Sequence, residues 1–386
     1  MRDVAVIGMG MTPFGKFPET PISKLGYTAI IEALKDSGIE KQRIEAAFIG
    51  SVYGEMGIGQ KILMEIGLTG IPVTNVENAC ASGSSAFREA WLQVSMGAID
   101  VALAVGIEQL STSISGPIPL NLEDYEVSQG LILPAQYALM SRRYMDRYGI
   151  TEEQLAQVSV KNHYNGTLNP KSQYRKKMTL EEIMSSRPIA DPIKLLECCP
   201  IGDGAAAAIL VSKEYAKKLG ISNPVCVKSS VLMSGDTVYE PEESVWSQKL
   251  INKTVSKAYE DAGLGPNDID FAEVHDAYPI AELLAYEGLQ FCKPGDSGKL
   301  LSDGVTELTG AKPVNTSGGL LSKGHPLAAT GVAQLYEIYL QLHGRAENRQ
   351  IERNGKLPLV GVAETMGGGG ISNLSGNICS IIILAR

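Results

Sequence analysis

The chain opens with short apolar runs that are separated by a stretch of helical rhythm. Residues 4–8 (VAVIG) and 46–54 (AAFIGSVYG) predict buried strands, because apolar side chains dominate both runs. Between them, residues 23–35 place apolar side chains three and four positions apart, as the buried face of a helix requires. Gly38 follows where such a helix would end. The start of the chain therefore predicts a strand, a helix and a second strand.

The same succession returns far downstream. The pattern of residues 33–47 recurs at residues 258–272, at a constant offset of 225 positions. The buried-type strands VALAVGIEQ (101–109) and LPLVGVAET (357–365) form a second pair, and each follows a long helix. Any α/β protein repeats strand, helix and strand, so the constant offset is what indicates an internal duplication. We predict an α/β fold with two duplicated βαβ-type halves in layers.

The residues between the halves have a different character. Residues 133–149 predict a helix, and residues 151–166 predict another that begins with Thr151 in a capping position. Residues 203–212 (DGAAAAILVS) then predict a strand that returns to the first half. The mostly helical excursion is an insertion, and large insertions commonly carry substrate contacts. The predicted divisions are an N-terminal half of residues 1–111 and 196–220, an inserted loop domain of residues 112–195, and a C-terminal half of residues 221–386.

Composition narrows the class of protein. Of the 386 residues, 44% are hydrophobic, and the net charge of -9 argues against a nucleic-acid binder, which normally carries a basic face. No run reaches the roughly 20 apolar residues that a membrane-spanning helix needs. The six cysteines lack the paired CxxC spacing of a zinc ribbon. These features predict a reduced, cytoplasmic protein that binds neither nucleic acid nor membrane and holds no metal.

One cysteine lies in unusual surroundings. Cys80 stands in the run NACASGSSA (78–86), after a predicted strand and just before a helix that begins near Ser82. A cysteine at a helix N-terminus is close to the positive end of the helix dipole, which favours the thiolate. The small neighbouring residues would let a long substrate approach the sulfur. The run indicates either a nucleophile or a cysteine packed into a tight helix start.

Two of the four histidines lie at the ends of predicted secondary-structure elements. His325 belongs to SKGHP, and Pro326 suits the first position of a helix. His275 belongs to EVHDAY at the end of an apolar strand, where α/β proteins gather their active-site residues. Either histidine could instead be an ordinary packed residue, and that is the only interpretation for His163 and His343.

A run of four glycines, residues 367–370, follows a buried strand. Without side chains, a ligand can touch the backbone N–H groups there directly, although a flexible turn would have the same composition.

Together these motifs resemble the thiolase family over the whole chain. NACASGS resembles the nucleophile motif, SKGHPLAATG resembles the GHP motif, and HDAY resembles the HDAF or HDCF motif of the sterol-carrier-protein and archaeal branch. A benzoylsuccinyl-CoA-type thiolase subunit is similar as well. The resemblance implies the duplicated fold with its inserted loop domain, and an acyltransferase activity.

The resemblance also implies a role for each matching residue. Cys80 would accept the acyl group, and His325 would take its proton. His275 would polarise the thioester oxygen of the partner that becomes an enolate. The backbone N–H groups of Cys80 and Gly367 would form the oxyanion hole for the acyl-enzyme, with Gly368 as the alternative.

The implied reaction is thiolytic cleavage of a β-ketoacyl-CoA, or the reverse condensation, through an acyl-Cys80 intermediate. Coenzyme A is then a substrate, and no bound cofactor or metal is expected. Lys171 and Arg175 lie in a basic cluster that could meet the phosphates of coenzyme A, or could be a solvated turn. Expected partners are a second copy of the chain in a homodimer core and a small zinc-ribbon/OB-fold subunit.

The chain departs from the family pattern at the second catalytic thiol. Thr365 stands where many thiolases have a cysteine before the glycines, and Ala277 stands where the HDCF branch has one. Tyr278, Glu364 or a water held by His275 could replace that thiol as acid and base. This gap speaks against ordinary acetoacetyl-CoA chemistry and favours a bulkier or substituted β-keto thioester, such as an aromatic one.

Two rival functions follow from the same gap. A thiolase-fold retro-aldolase acting on a β-hydroxyacyl-CoA needs no acyl-cysteine, so the intact motifs at Cys80 and His325 count against it. A non-catalytic scaffold subunit is the other rival.

Two further cysteines are interpreted from their positions. Cys379 lies in a predicted terminal strand and is interpreted as structural, whereas Cys292 is a reserve candidate for the missing acid and base.

Overall fold

A computed structural model describes residues 1–235, 248–368 and 377–386 of the chain. Most of the strands form one nine-stranded sheet, and two short strands, β5 and β6, form a hairpin inside the inserted domain. The strands are β1 Val4–Met11, β2 Ala46–Gly50, β3 Val73–Val76, β4 Val101–Gln109, β5 Pro188–Ala190, β6 Ile193–Lys194, β7 Asp203–Ser212, β8 Val225–Ser234, β9 Phe271–Glu273, β10 Val360–Gly367 and β11 Ile378–Ala385.

Thirteen α-helices lie in the described ranges, together with short 3-10 turns and one π-helical turn, Gly319–Lys323. None of these helices combines the length and the apolar character that crossing a bilayer demands. The α-helices are α1 Ile22–Ser37, α2 Ile58–Ile66, α3 Ser82–Ser95, α4 Leu110–Ser113, α5 Tyr125–Ser128, α6 Leu133–Tyr148, α7 Glu152–Leu168, α8 Leu180–Met184, α9 Lys213–Lys218, α10 Gln248–Ala262, α11 Pro279–Gly288, α12 Ser297–Ser302 and α13 Ala329–His343.

The order of the strands shows the duplication that the sequence predicts. From one edge the sheet runs β3-β2-β4-β7-β1-β8-β11-β10-β9. In the N-terminal half, β1 pairs antiparallel with β7, and β7 pairs antiparallel with β4. Further out, β4 pairs parallel with β2, and β2 pairs parallel with β3. The C-terminal half follows the same rule, because β8, β11 and β10 pair antiparallel, β9 pairs parallel to β10, and Val314 forms a parallel bridge to Ala272 of β9. The halves meet where β1 and β8 pair antiparallel. The predicted duplicated α/β fold is confirmed.

The repeated sequence pattern corresponds to repeated structure. α1 ends at Gly38, whose φ of 69° lets its N–H donate to the Leu34 carbonyl oxygen, and α10 ends before Gly263, with a φ of 65°. A short 3-10 turn follows each helix, and then β2 or β9 begins. The constant offset therefore marks the same helix, turn and strand in both halves.

Helices α3 and α13 lie at the centre of the molecule. α3 contacts β4 and β2 of the first half and β8 and β11 of the second, while α13 contacts β7 and β4 as well as β10. The apolar faces of both half-sheets and of both helices form one buried cluster, and α1 and α10 cover the outer faces of the sheet. The fold is thus layered, with helices outside and between the two half-sheets.

The two central helices meet backbone to backbone. A Cβ atom on Gly83 of α3 would lie 2.1 Å from the carbonyl oxygen of Ala328, and one on Gly106 of β4 would lie 2.2 Å from the same oxygen. A Cβ on Gly331 of α13 would lie 1.9 Å from the hydroxyl oxygen of Ser84. Only glycine fits at Gly83 and Gly106, because real Cβ atoms do not approach backbone oxygens so closely. At Gly331 a side chain would force the Ser84 hydroxyl to move.

The inserted domain packs on the C-terminal half. α7 contacts α11, α12 and the π-helical turn Gly319–Lys323, and α6 contacts α11. α7 begins with the predicted capping box, in which Thr151 accepts from the Gln154 backbone N–H. The mostly helical character of the insertion is confirmed, while the residue numbers of the domain boundaries stay a prediction.

We predict that Gly106→Ala lowers the free energy of unfolding by about 1–3 kcal/mol, as overpacking of a tight core does. The new methyl group would force the Ala328 backbone, and with it the start of α13, away from β4. Gly116→Ala is the matched control, because a Cβ there meets no atom within 4 Å, and its effect should stay below about 0.5 kcal/mol. Urea denaturation measures both, and equal stability of the two variants would contradict the close-approach argument.

Candidate functional site

Cys80 lies in a strained turn between β3 and α3. The preceding residue, Ala79, has a φ of 48°, in the left-handed region that side chains other than glycine rarely occupy. Hydrogen bonds hold the turn: the Ser82 hydroxyl donates to the Ala79 carbonyl oxygen at 2.6 Å, and the Asn78 N–H donates to the Ser82 oxygen at 2.9 Å. The Asn78 side chain also donates to Ser85 at 2.8 Å. The small polar residues around the cysteine therefore fix its backbone in one geometry.

The environment of Cys80 corrects one sequence prediction. The pKa of Cys80 is raised to about 12, first by burial and then by the nearby Glu108 carboxylate, while a backbone hydrogen bond lowers it by less. The cysteine precedes α3 by two residues, so it lies just outside the first turn, where the helix dipole acts most strongly. The expectation that the helix start favours the thiolate was wrong. The resting side chain is a neutral thiol.

Glu108 is itself a buried carboxyl beside the nucleophile. Its side-chain oxygens accept the backbone N–H groups of Val52 and Tyr53 at 3.0 and 2.9 Å. Burial raises the pKa of Glu108 to about 7. The carboxyl fixes the loop after β2 close to Cys80.

His325 follows the π-helical turn and precedes α13. Its Nδ1 lies 2.7 Å from the hydroxyl oxygen of Thr330, and that hydroxyl donates to the Pro326 carbonyl oxygen at 3.1 Å. Because the hydroxyl has one proton, Nδ1 is the donor to Thr330, and Nε2 keeps a free lone pair. Burial, then the neighbouring His275 and Lys323, hold the pKa of His325 well below its usual value. The helix begins at Ala329 rather than at Pro326 as the sequence predicted.

His275 lies two residues beyond β9 and is 3% exposed. Its backbone N–H donates to a Glu364 carboxylate oxygen at 2.8 Å. Burial lowers the pKa of His275 to about 3 and raises that of Glu364 to about 7. Within the described ranges, Nδ1 of His275 has no hydrogen-bond partner. A neutral imidazole with an unpartnered nitrogen is suited to bind a polar atom of a ligand.

Asp276 connects the segments that carry the two histidines. Its carboxylate accepts the backbone N–H of Leu320 at 2.6 Å, inside the π-helical turn, and the side-chain amide of Asn162 at 2.7 Å. Asn162 also donates to Glu282 at 2.6 Å, which forms a buried ion pair with Lys161. This network was missed, although the adjacent histidine and aspartate are visible in the sequence, because its partners come from three separate segments.

The three predicted side chains come together. The Cys80 sulfur and one ring nitrogen each of His275 and His325 all lie within 4.8 Å of one another. The two imidazole rings are perpendicular, with centroids 4.9 Å apart. Such a group could supply a nucleophile, the thiol, together with one imidazole as its base and another as a polar group that binds a ligand. They are also donors that zinc accepts, and the expected absence of a metal stays a prediction.

The glycine run approaches the cysteine turn. A Cβ on Gly367 would lie 2.6 Å from the Asn78 carbonyl oxygen, so this glycine packs directly on the turn. Gly368, with a φ of 81°, lines the cavity at Cys80. Gly369 and Gly370 lie outside the described residues. Both alternatives for the oxyanion hole are therefore close to Cys80.

A cavity of about 250 Å³ opens over the cysteine and is mainly apolar. The inserted domain contributes much of its wall, and the expectation that the insertion meets the substrate stays a prediction. Its lining includes Tyr53, Cys80, Ile118, Leu120, Leu133 and Leu327.

The predicted basic residues do not join this cavity. The Lys171 ammonium donates to the Met11 carbonyl oxygen and pairs with Glu32 at 2.8 Å. Lys171 lines a different cavity, beside Asp36 and other charged residues. Arg175 is exposed. The structure thus gives Lys171 structural contacts, which do not support its predicted role in binding phosphate.

The predicted substitutes for the second thiol lie in different environments. The Thr365 hydroxyl donates to Gln334 at 2.7 Å and accepts from Ser84 at 3.0 Å, between α3 and α13. Tyr278 is 5% exposed, and burial raises its pKa far above the usual value. Cys292 has its pKa raised to about 12 by burial and then by Glu287 and Asp296, and Cys379 is buried in β11.

Comparison with known proteins agrees with this geometry. The family described as "Thiolase, N-terminal domain" matches residues 4–214, and "Thiolase C-terminal domain-like" matches residues 237–377. An acetyl-CoA acetyltransferase of Methanothermobacter thermautotrophicus is 39% identical over 379 residues, covering 96% of this chain and 97% of the relative. The benzoylsuccinyl-CoA thiolase subunit BbsB of Thauera aromatica is 36% identical over 372 residues, covering 95% of both chains.

A solved structure described as "Ltp2-ChsH2(DUF35) aldolase" has a TM-score of 0.81 with 24% identity, covering 100% of this chain and 98% of that one. This likeness shows the fold alone. The matches along the chain, the duplicated sheet and the assembled cysteine and histidines agree, and the chain belongs to the thiolase family of acyltransferases.

Proposed function

We propose that the chain cleaves a bulky β-ketoacyl-CoA by thiolysis, or condenses two acyl-CoA molecules in reverse, through an acyl-Cys80 intermediate. The observation that carries the proposal is the meeting of one thiol and two imidazoles within 4.8 Å. The thiol of this group also lines a cavity that is wide enough for an acyl group. The names of the relatives, an acetyl-CoA acetyltransferase and a thiolase subunit, support this class of reaction.

In this proposal, Cys80 attacks as its proton moves to His325. Both groups are neutral at rest, because burial raises the thiol pKa and lowers the imidazole pKa. The Nδ1–H bond to Thr330 leaves Nε2 of His325 as the acceptor of that proton. An adjacent general base is one of the ways in which an enzyme activates a cysteine nucleophile, and here it would act during the attack itself.

Two oxyanion sites would serve the two chemical steps. The backbone N–H groups of Cys80 and of Gly367 or Gly368 would bind the oxygen of the tetrahedral acyl intermediate. His275 would bind the thioester oxygen of the enolate, and its unpartnered, buried nitrogen supports this role. Glu364 holds the His275 backbone and thereby positions the ring.

The shape of the cavity favours a large acyl group. Its volume of about 250 Å³ far exceeds what an acetyl group fills, and apolar side chains form most of its wall. An aromatic or branched acyl group would bury these surfaces, at about 25 cal/mol per Å² of apolar area removed from water. The adenosine phosphates of coenzyme A would extend toward the surface, and Arg175 is an exposed candidate contact for them.

We also propose a partner subunit beside a homodimer core. The BbsB relative is named as a subunit, and the solved aldolase is named together with a DUF35 chain. A small zinc-ribbon/OB-fold protein is therefore the partner to seek in co-purification.

Cys80→Ser should fold normally and lose nearly all thiolysis, because a serine hydroxyl remains protonated beside a weakly basic imidazole. Intact-mass spectrometry of the wild type with acyl-CoA should show one added acyl group, mapped to Cys80, and none in the variant. More than a tenth of the wild-type turnover in the variant would exclude the acyl-enzyme mechanism. An enzyme that cleaves a β-hydroxyacyl-CoA without any acyl adduct would instead be a retro-aldolase.

His325→Ala should slow the alkylation of Cys80 by iodoacetamide, whereas His275→Ala, the matched control, should leave it close to the wild-type rate. In the wild type the alkylation rate should keep rising from pH 6 to pH 10, because a thiol with a pKa of about 12 gains thiolate throughout this range.

Carbon–carbon cleavage should fall on the order of 10²-fold or more in His275→Ala, as for loss of an oxyanion donor. Peptide mass spectrometry measures alkylation at Cys80, and equal damage to both steps in both variants would refute this division of roles.

The wild type should cleave a bulky aromatic β-keto thioester with a higher kcat/KM than acetoacetyl-CoA. Leu133→Trp should fill the cavity and reduce cleavage of the bulky substrate on the order of tenfold, with little change for acetoacetyl-CoA. Leu139→Trp on the same helix is the control, because Leu139 is 51% exposed. Brisk acetoacetyl-CoA cleavage by the wild type, or equal effects of both tryptophans, would show that this cavity does not select the acyl group.

A further inference from the structure

A cysteine from the segment between the inserted domain and β7 lies beside the position that lacks the family's second thiol. The backbone N–H of Cys199 donates to the carbonyl oxygen of Ala277 at 3.1 Å. Ala277 follows His275 and Asp276, and it occupies the place where the HDCF branch has its cysteine. Cys199 precedes Pro200, in the segment that leads back into β7. A thiol is therefore present next to the position, although it comes from another part of the chain.

The neighbours of Cys199 belong to the catalytic site. Burial raises the pKa of Cys199 well above the usual thiol value, and the nearby Cys198, Cys80 and Asp276 raise it further. Tyr137 of α6 stacks on Tyr278 with ring centroids 4.4 Å apart. The charge of Cys199 acts on both of these tyrosines, and the charge of Cys80 acts on Tyr137. The Cys199 side chain thus lies near both the stacked tyrosines and the nucleophile.

An independent observation points to a ligand at the same place. His275 is 3% exposed, and its Nδ1 has no hydrogen-bond partner anywhere in the described chain. An unpaired buried nitrogen costs free energy unless a ligand or a water completes it. One ring nitrogen of His275 lies within 4.8 Å of the Cys80 sulfur, and Cys199 is near enough to Cys80 for their charges to interact. A substrate oxygen bound at His275 would therefore bring the reacting carbon near both thiols.

We propose that Cys199 is the second catalytic thiol, which protonates the carbanion released by carbon–carbon cleavage and removes the α-proton in the reverse reaction. This role rests on the proposed function and adds to it the residue that exchanges the proton.

The step balances without any further reagent. In cleavage, the Cys80 thiolate forms a bond to the β-carbon, the bond between the α- and β-carbons breaks, and its electron pair becomes the enolate held by His275. Cys199 gives its thiol proton to the α-carbon and becomes a thiolate. That thiolate takes the proton of the incoming coenzyme A thiol, whose sulfur displaces Cys80 from the acyl group. Cys80 then regains its proton from His325, and every group returns to its starting state.

The high pKa of Cys199 fits the acid role in cleavage. A thioester α-carbon is a far weaker acid than any thiol, so a neutral thiol protonates its carbanion readily. Burial keeps Cys199 in that neutral form at neutral pH.

The competing residues fit less well. Cys292 has Glu287 and Asp296 as its charged neighbours, and neither belongs to the site. Glu364 has a suitable pKa of about 7 but uses a carboxylate oxygen to hold the His275 backbone N–H. The Tyr278 hydroxyl is a much weaker acid than a thiol because burial raises its pKa even further.

The test compares Cys199→Ala with Cys198→Ala, a matched control whose thiol donates to the Lys194 carbonyl oxygen at 3.4 Å. Each protein is assayed for single-turnover cleavage of the β-keto thioester that the wild type turns over best, and for alkylation of Cys80 by iodoacetamide. Cleavage should fall on the order of 10²-fold or more in Cys199→Ala, and by less than about twofold in Cys198→Ala. Alkylation of Cys80 should be unchanged in both, because it depends on His325 alone.

A rescue experiment distinguishes a catalytic role of Cys199 from a structural one. Adding Ala277→Cys to the Cys199→Ala variant places a thiol where the HDCF branch has it, and should restore about tenfold or more of the lost cleavage. Ala277→Ser in the same background is the control and should restore nothing.

Each contrary result has one meaning. If Cys199→Ala cleaves within twofold of the wild type, Cys199 is not the acid and base although the thiolase reaction stands. Loss of cleavage and alkylation together, with no rescue by Ala277→Cys, shows that Cys199 is only structural. A wild type that forms no acyl-Cys80 and cleaves no β-keto thioester overturns the proposed function, and this role with it.

Discussion

Helices α3 and α13 approach so closely that the backbone of one contacts the backbone and small side chains of the other. Gly83, Gly106 and Gly331 make this approach possible, because a single methyl group at any of them would collide with Ala328 or Ser84. Cys80 precedes one of these helices and His325 precedes the other. The distance between the proposed nucleophile and base therefore depends on the packing of two central helices, together with the turns that hold the two side chains.

Burial determines the charge state of nearly every group around this contact. The thiol of Cys80 and the rings of His275 and His325 are neutral for the same physical reason, since a charged form would lose its hydration. The carboxyl groups that surround them bind backbone N–H donors: Glu108 holds the loop after β2, and Glu364 holds the loop after β9. Burial thus leaves the reactive groups uncharged, and the bonds to the two carboxyl groups hold the loops in place. In the proposed reaction, a proton transfer inside the site comes first, so neither a thiolate nor an imidazolium has to be kept in the low-dielectric interior at rest.

The sequence predicted those parts of the fold that depend on local pattern. β4 and β7 are found within the predicted bounds, because both are uninterrupted apolar runs that are buried on two faces. The motifs at Cys80, His275 and His325 were recognised from their unusual local residues, and the structure brings them together.

The features that sequence could not provide depend on contacts between distant segments. The π-helical turn before His325 is bound by Asp276, which lies more than forty residues earlier. Burial of Cys80 outweighs the helix-end effect that local sequence suggests, and the extent of burial follows from the surrounding domains. Lys171 was expected to meet phosphate, but its partner Glu32 comes from α1. Cys199 went unnoticed because only the folded chain brings it to Ala277.

The pseudo-twofold arrangement of the sheet has a consequence for how the molecule acquires its reactivity. β1 and β8 join two halves of identical strand order, yet the cysteine comes from one half and both histidines come from the other. Neither half contains a usable nucleophile–base pair by itself. While the second half is still being made, Cys80 has no base beside it. The nucleophile–base pair of the proposed reaction therefore forms only when both halves have folded together.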